Sequence, residues 1–354
     1  MNRIRAIIST AVSTATLAIV ALSMPASAAT LDEIVAGAKK EGHLFVLVSS
    51  PGKPETHAAI AKAFNERFGL DTQVEWTATN PVQTGTKLIA EQGGGTGFVD
   101  VIGAGGNQEM SVLFDRGILK PYPWTETFGA EFPNIGKLAA DPVIGDLKGA
   151  GLLIAHNVYG IAWNKDLIAD EDVPNTYSEL LKPEWKGRFS VNAFSLNPTD
   201  YYSFALGEDE TLAMAKNILD NEPVLERGTG AVTRAISVGQ APVGISSFHQ
   251  AGRVDNLKFK LFSDYIPIGV LHVYVPENAP NPNTARLFAA WFATDGMKIV
   301  NQFEPLPRIG EGSALDKMVA DVEAGGGKII SETSLADTAS AAAVRKKIAD
   351  MMTK

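Results

Sequence analysis

Cysteine is absent from all 354 residues. Disulfides, thiolate metal sites, a cysteine nucleophile and a lipid-bearing cysteine are therefore excluded, and stability must come from core packing. Histidine is scarce, at 5 residues, and none of them forms the H-E-x-x-H spacing that places two zinc ligands on one helix face. The chain also lacks a G-x-S-x-G nucleophile elbow, a G-x-G-x-x-G turn and a phosphate-binding P-loop. One S-x-x-K match, Ser50 to Lys53, encloses Pro51-Gly52 and has neither an S-D-N nor a K-T-G partner, so it reads as a turn. Clusters of Lys and Arg with interleaved aromatics are missing, and the formal net charge is −9. A polyanion needs a basic surface, so nucleic acid is excluded as the expected partner. These absences leave an exported hydrolase as the least favoured reading and point away from enzymes altogether.

What is present begins at the amino terminus. MNRIR carries two arginines and no acid, Ala6 to Leu22 is almost wholly apolar or small, and Ala26-Ser27-Ala28 supplies small residues where a signal peptidase reads. This predicts a signal peptide over residues 1–28, cleavage before Ala29 and a periplasmic mature chain. The apolar run is short for a membrane span, which needs about 20 residues.

The mature chain has length for two domains of ordinary size. HLFVLVSS (43–50) is a continuous apolar run bounded by Gly42 and by Pro51-Gly52, as expected of a buried parallel strand. THAAIAKAFNERFG then puts Ala59, Ile60, Ala63, Phe64 and Phe68 on one helical face, and the alternation of DTQVEW completes a β-α-β unit. VDVIGAGG is a further buried strand, and a helix is expected from Asn107, a good N-cap residue. Residues 118–154 are irregular, and NVYGIAWNKDLI (157–168) resumes as a strand crossing into a second lobe. In that lobe a strand in RFSVNAF, a helix from about Thr199, helices at 210–222 and 228–240, and the strand APVGIS are expected. LKFKLFSDYIPIGVLHVYVPE (257–277) holds two extended segments, the second crossing back. NPNTARLFAAWFATDGMKIV is an amphipathic helix with a polar start, and the tail is a helix on the outside. The expected partition is lobe 1 over 29–155 plus about 270–354, and lobe 2 over about 156–269.

Four segments, VLVSSPGKPE, GIAWNKDLI, LLKPEWKGRFSV and ENAPNPNTARLFAAWFAT, come in an order that resembles the periplasmic solute-binding proteins of ABC importers, in the branch of ferric-ion, thiamine and phosphonate binders. The resemblance implies a two-lobed α/β periplasmic-binding-protein type II fold with a hinge and an interlobe ligand cleft. It also implies a monomer that hands a small ligand to membrane permease subunits, with no cofactor and no catalysis.

Ligands in open α/β sheets collect at the carboxyl ends of strands, where helix amino ends present N–H groups. This singles out Ser49 and Ser50 after the first strand, and Gly105 and Asn107 in the glycine loop, where the backbone can approach a ligand. Thr229 and Gly230 open a helix, and Ser246, Ser247, Phe248 and His249 follow APVGI. In the second lobe the resemblance carries an anion-contacting role to Asn197 and Thr199. Tyr201 and Tyr202 neighbour them, but adjacent helical residues diverge by about 100 degrees, so at most one faces a cleft. In ferric-ion binders two adjacent tyrosines follow the strand matching APVGI; here those positions read Ser246 and Ser247. Neutral hydroxyls are poor ligands for a hard trivalent cation. The expected ligand is therefore an organic anion, a carboxylate or phosphonate. Ferric ion stands second, with phenolates drawn from Tyr201 or Tyr265. A cation such as thiamine or a polyamine stands third, with Asp200, Trp163, Phe248 and Tyr274 as its cage.

Overall fold

The computed structural model describes residues 29–48, 50–78, 81–92, 97–104, 107–140 and 147–353. Ten strands form one strongly curled sheet: β1 (His43–Val48), β2 (Gln73–Thr77), β3 (Val101–Ala104), β4 (Gly151–Asn164), β5 (Phe189–Asn192), β6 (Val224–Glu226), β7 (Val243–Ser247), β8 (Leu257–Lys260), β9 (Tyr265–Tyr274) and β10 (Lys328–Ile330). Their order is β2-β1-β3-β9-β4-β7-β5-β6, with β8 beside β4 and β10 beside β9. β2-β1-β3 is parallel at one end and β7-β5-β6 is parallel at the other. The two long strands between them, β4 and β9, run antiparallel to each other and to their flanking neighbours β3 and β7.

That arrangement makes two α/β lobes joined at the middle of β4 and β9. The first half of β4 pairs with β9 up to Val158, and its second half pairs with β7 and β8 from Tyr159 onward. The core divides likewise. Val46, Val101 and Val273 pack with Phe64, Phe288, Trp291 and Phe292 of the helices Pro54–Phe68 and Pro282–Trp291 and the turn beyond them, while Ile102, Met110, Leu113 and Tyr274 fill the opposite face. In the second lobe Ile161, Val191 and Ile245 pack with Tyr177, Tyr202, Ile218 and Phe262. The apolar alternation read from THAAIAKAFNERFG is realised, with Ile60, Phe64 and Phe68 buried on one side.

The tail departs from the expected partition. Ile330, Val344 and Ile348 belong to the second core, so the carboxyl-terminal helix Leu335–Met352 packs on lobe 2 instead of staying with lobe 1. It also lies against the helix Asn107–Asp115 of lobe 1 and therefore spans the seam. The expected helix from Thr199 is a single 3-10 turn, Thr199–Tyr202, followed by the short helix Ser203–Leu206. The irregular 118–154 stretch contains two short helices, Trp124–Phe128 and Ile135–Ala140.

The polar start of the helix Pro282–Trp291 is explained by two carboxylates brought from far away in sequence. Asp100, almost wholly buried at the foot of β3, accepts from the Asn281 amide at 2.7 Å, from Asn281 Nδ2 at 3.1 Å and from the Phe45 amide at 2.9 Å. Glu41 accepts from the backbone and side chains of Asn283 and Thr284. Negative charge at a helix amino end satisfies N–H groups that have no intrahelical partner. Asp100→Ala strands buried amides and is expected to cost about 2–3 kcal/mol, read as a lower urea midpoint with an unchanged slope.

Candidate ligand-binding cleft

The carboxyl ends of the parallel strands from both lobes converge on the crossing. Ala104 at the end of β3 pairs with His272, and Ser247 at the end of β7 pairs with Tyr159. Between these points the strands open slightly to solvent: His156, Asn157 and Gly269 are half-buried among buried neighbours. The loops after β1, β5, β6 and β7 rim this seam.

The loop after β5 is wound tightly. Ser195 and Leu196 have φ of 54° and 53°, a left-handed region that costs roughly 1–3 kcal/mol per non-glycine residue. Asn192, which sequence reasoning passed over, knits this loop to the next one: its Oδ1 accepts from the amides of Phe194 at 2.9 Å and Gly228 at 3.1 Å. An Asn two residues before a turn was the available signal. Thr199 is fully buried, its hydroxyl donating to the Leu196 carbonyl at 2.7 Å and lying 2.8 Å from the Tyr177 hydroxyl. Its side chain is committed to the lobe 2 core. Asn197 stays half-buried at the rim, with Nδ2 at 3.5 Å from Asp200 Oδ1.

Both tyrosines that follow are buried. Tyr202 packs on Tyr177 and Tyr265. Tyr201 packs on Tyr159 and Phe204, with its hydroxyl over Gly269, where an added Cβ would sit 3.1 Å away. Burial first, then the negative charge of Glu332 and neighbouring groups, pushes the Tyr201 phenol well above its ordinary range, so it stays protonated.

After β6 the helix Thr229–Ser237 begins at Gly228, whose φ of 94° turns the chain sharply into it. The amides of Ala231 and Val232 close on the Gly228 carbonyl. Those of Thr229 and Gly230 meet no acceptor among the described residues, as expected for the first turn of a helix without a side-chain cap. Gly230 is exposed and Thr229 half-buried, while Arg234 points to solvent.

β7 runs through Ser247, so Ser246 and Ser247 lie in the strand and the residues that follow it are Phe248 and His249. Both serines are fully buried. Ser246 Oγ is 2.7 Å from Thr233 Oγ1, and Ser247 Oγ is 3.2 Å from His249 Nδ1. His249 Nε2 lies 3.2 Å from Gln250 Nε2. Burial and then the Arg253 charge pull His249 down to about 3, so its ring is neutral. Phe248 packs on Phe259 and lines a cavity of about 350 Å³ with Pro305, Pro307 and Arg308, where the two lobes meet.

The loop after β1 is already filled by a carboxylate of the chain itself. Glu304, fully buried, accepts from the amides of Gly52 at 3.1 Å and Lys53 at 2.9 Å and from Thr56 Oγ1 at 2.8 Å. Its ion-pair partner is Arg253, which follows the short helix Phe248–Ala251 in lobe 2. Burial alone would raise the Glu304 pKa; the two amides, the guanidinium and the threonine outweigh it and hold the carboxyl below its ordinary value. Arg253 Nη1 in turn lies 3.5 Å from Gln250 Oε1, and Gln250 sits beside Gly230. A polar path therefore runs from the amino end of one lobe 2 helix to the amino end of a lobe 1 helix. Ser50 is buried in this loop. Ser49 and Gly105 lie outside the described residues, as does the side chain of Asn107, whose backbone begins the helix Asn107–Asp115.

Thus Asn197 and Thr229 are half-buried, Gly230 is exposed, Phe248 lines the cavity between the lobes and His249 is buried beside Ser247, whereas Thr199, Ser246 and Ser247 are bonded inward. The residues of the cation alternative are dispersed. Tyr274 pairs with one end of β4 at Gly151, Trp163 lies near the other end and bonds Asp170, and Asp200 is neutralised by Arg345.

Two α/β lobes on a shared curled sheet, with strand ends meeting at the seam, make the two-lobed fold of periplasmic binding proteins. Residues 59–323 match the family of bacterial extracellular solute-binding proteins, and the chain belongs to it. As a member of that family it is a solute-binding protein of transport and not an enzyme. The chain is 24% identical over 279 residues to the Fe(3+)-binding periplasmic protein of Serratia marcescens, covering 73% of this chain and 78% of that one. Its fold is similar to iron-bound HitA from Pseudomonas aeruginosa, with a TM-score of 0.65 at 17% identity, covering 86% of this chain and 99% of the other. It is equally similar to AfuA from Actinobacillus pleuropneumoniae with fructose-6-phosphate bound, TM-score 0.65 at 19% identity, covering 88% and 97%.

Breaking the seam pair leaves a buried carboxylate without its counter-charge. Arg253→Met is expected to destabilise the protein by about 3–5 kcal/mol, measured by denaturant unfolding. His249 supplies a separate acid sensitivity. Its pKa in the folded chain lies below the ordinary 6.5, so the unfolded chain takes up a proton first, and stability falls as pH drops from 6.5 towards 3. His249→Gln should flatten the melting temperature between pH 6.5 and 4.5, leaving the loss below that to carboxylates such as Glu304.

Proposed function

We propose that the mature chain, freed of residues 1–28 in the periplasm, works as a monomer that captures a small organic anion and delivers it to its permease. The anion is a carboxylate or a phosphorus oxyanion, held between lobe 1 (29–155 and the segment from about 270) and lobe 2 (about 156–269), the tail helix bridging them. The observation that carries this reading is the amino end of the helix Thr229–Ser237: two backbone donors meet no acceptor among the described residues, at the positive end of a helix dipole. In lobe 1 the loop that leads into the helix Pro54–Phe68 already gives its Gly52 and Lys53 amides to Glu304, so in this reading the anionic group lies on the lobe 2 side, near Asn197, Gln250 and neutral His249. Ligand stabilises the closed arrangement only through contacts stronger there than in the open one. Solute-binding proteins of this fold include one bound to fructose-6-phosphate, which supports an anion of this size.

Ferric ion is the second reading, favoured by the names of the Serratia relative and of the HitA structure. Against it stands the donor chemistry at the seam, where Ser246 and Ser247 are neutral and Tyr201 is kept protonated. Thermal unfolding of the mature chain with fructose 6-phosphate, methylphosphonate, citrate, spermidine, thiamine and ferric ion separates the classes. A saturable rise with an anion alone is expected, reaching about 2.7 kcal/mol of stabilisation at a hundredfold excess over Kd. A rise with iron or with a cation, and with no anion, would sink the reading.

A further inference from the structure

We propose that Arg345, on the carboxyl-terminal helix, is a positioning residue of the cleft: acting through Asp200, it holds the strained loop 193–199 in the shape that presents Asn197 to the ligand. The proposal rests on the reading of that loop as part of the binding rim.

Two consecutive non-glycine residues in the left-handed region, Ser195 and Leu196, do not keep that shape unaided. The near side of the loop is pinned by the Asn192 side chain and by Leu196 sunk in the second core. Its far side ends at Asp200, a carboxylate with no exposure to solvent. Arg345 Nε donates to Asp200 Oδ2 at 2.7 Å, and Arg345 Nη2 donates to Glu332 Oε1 at 2.8 Å. Glu332 is also buried and accepts from Thr338 Oγ1 at 3.0 Å on the same helix. The other Asp200 oxygen faces the Asn197 amide group. A forked guanidinium thus fixes one carboxylate at the root of the loop and another at the root of the helix.

Stability alone does not call for this arrangement. Apolar residues of similar volume would hold the helix as well as a buried ion triad, which brings large desolvation costs and gains mainly directional geometry. The triad stands where geometry is needed, one residue beyond Thr199. Because the same helix lies against Asn107–Asp115 of the first lobe, the loop is registered against both lobes.

The test compares wild type with Arg345→Met, Arg345→Lys and, as a control for general loosening of the helix, Lys347→Met, which removes the exposed pair with Glu208. Two readouts are taken: hydrogen exchange at the amides of residues 194–200, and titration with fructose 6-phosphate, methylphosphonate and citrate. Arg345→Met is expected to speed exchange in the loop at least tenfold, leave β1 unchanged and weaken binding of the recognised anion at least tenfold. Arg345→Lys should recover only part of both, and Lys347→Met should change neither. Unaltered exchange in the loop overturns the proposal. Faster exchange with undiminished binding also overturns it, by showing that the loop lies outside the cleft. If wild type binds none of the anions, the functional reading falls, and exchange alone decides the anchor. Should Arg345→Met fail to fold, the Asp200→Asn/Glu332→Gln/Arg345→Met triple variant, which leaves neither carboxylate without its counter-charge, takes its place with the same expected and overturning outcomes.

Discussion

The antiparallel pairing of β4 with β9 is the constraint on which the molecule is built. Gly151 to Val158 pair with Tyr274 back to Ile268, and the same β4 then continues to pair with β7 and β8. One unbroken strand therefore belongs to both lobes. Parallel strands on either side have to point their carboxyl ends at the place where the pairing changes hands, because β3 and β7 are aligned against β9 and β4 respectively. The seam, the rim loops and the meeting of helix amino ends all follow from that geometry.

At the seam the lobes solve the same electrostatic problem differently. In lobe 1 the loop leading into the helix Pro54–Phe68 gives its Gly52 and Lys53 amides to Glu304, and Arg253 from lobe 2 balances that charge. In lobe 2 no carboxylate among the described residues accepts from the amides that open the helix Thr229–Ser237. In the function proposed above, this difference gives the cleft a polarity, with protein groups bonded across the seam on one side and donors offered to the ligand on the other.

The side chains near the lobe 2 side of the seam are largely neutral. Burial keeps His249 uncharged and Tyr201 protonated, and both serines of β7 are bonded within their lobe. Recognition by backbone amides and amide side chains suits an oxygen-rich anion, since such donors need no charge change on binding.

The residue pattern alone indicated the long strands and the two crossings between lobes, but not the short strands Val224–Glu226 and Lys328–Ile330 or the start of β4 at Gly151. Continuous apolar runs such as HLFVLVSS, too short for a helix and bounded by glycine and proline, read as buried strands between helical layers, and those bounding residues place the loops. It also proposed rim residues, from Asn197 to His249, at the ends of these strands. Tertiary structure decided which rim residues are free. Thr199 and Ser246 look like donors on paper, but Tyr177 and Thr233, 22 and 13 residues away on other elements, take up their hydroxyls. Glu304, Arg253 and Arg345 carried no local motif, because each acts on a partner between 51 and 252 residues away in the chain. Periodicity reports which way a side chain faces within its own element, whereas the pairing of buried charges depends on how separate elements come to rest against one another.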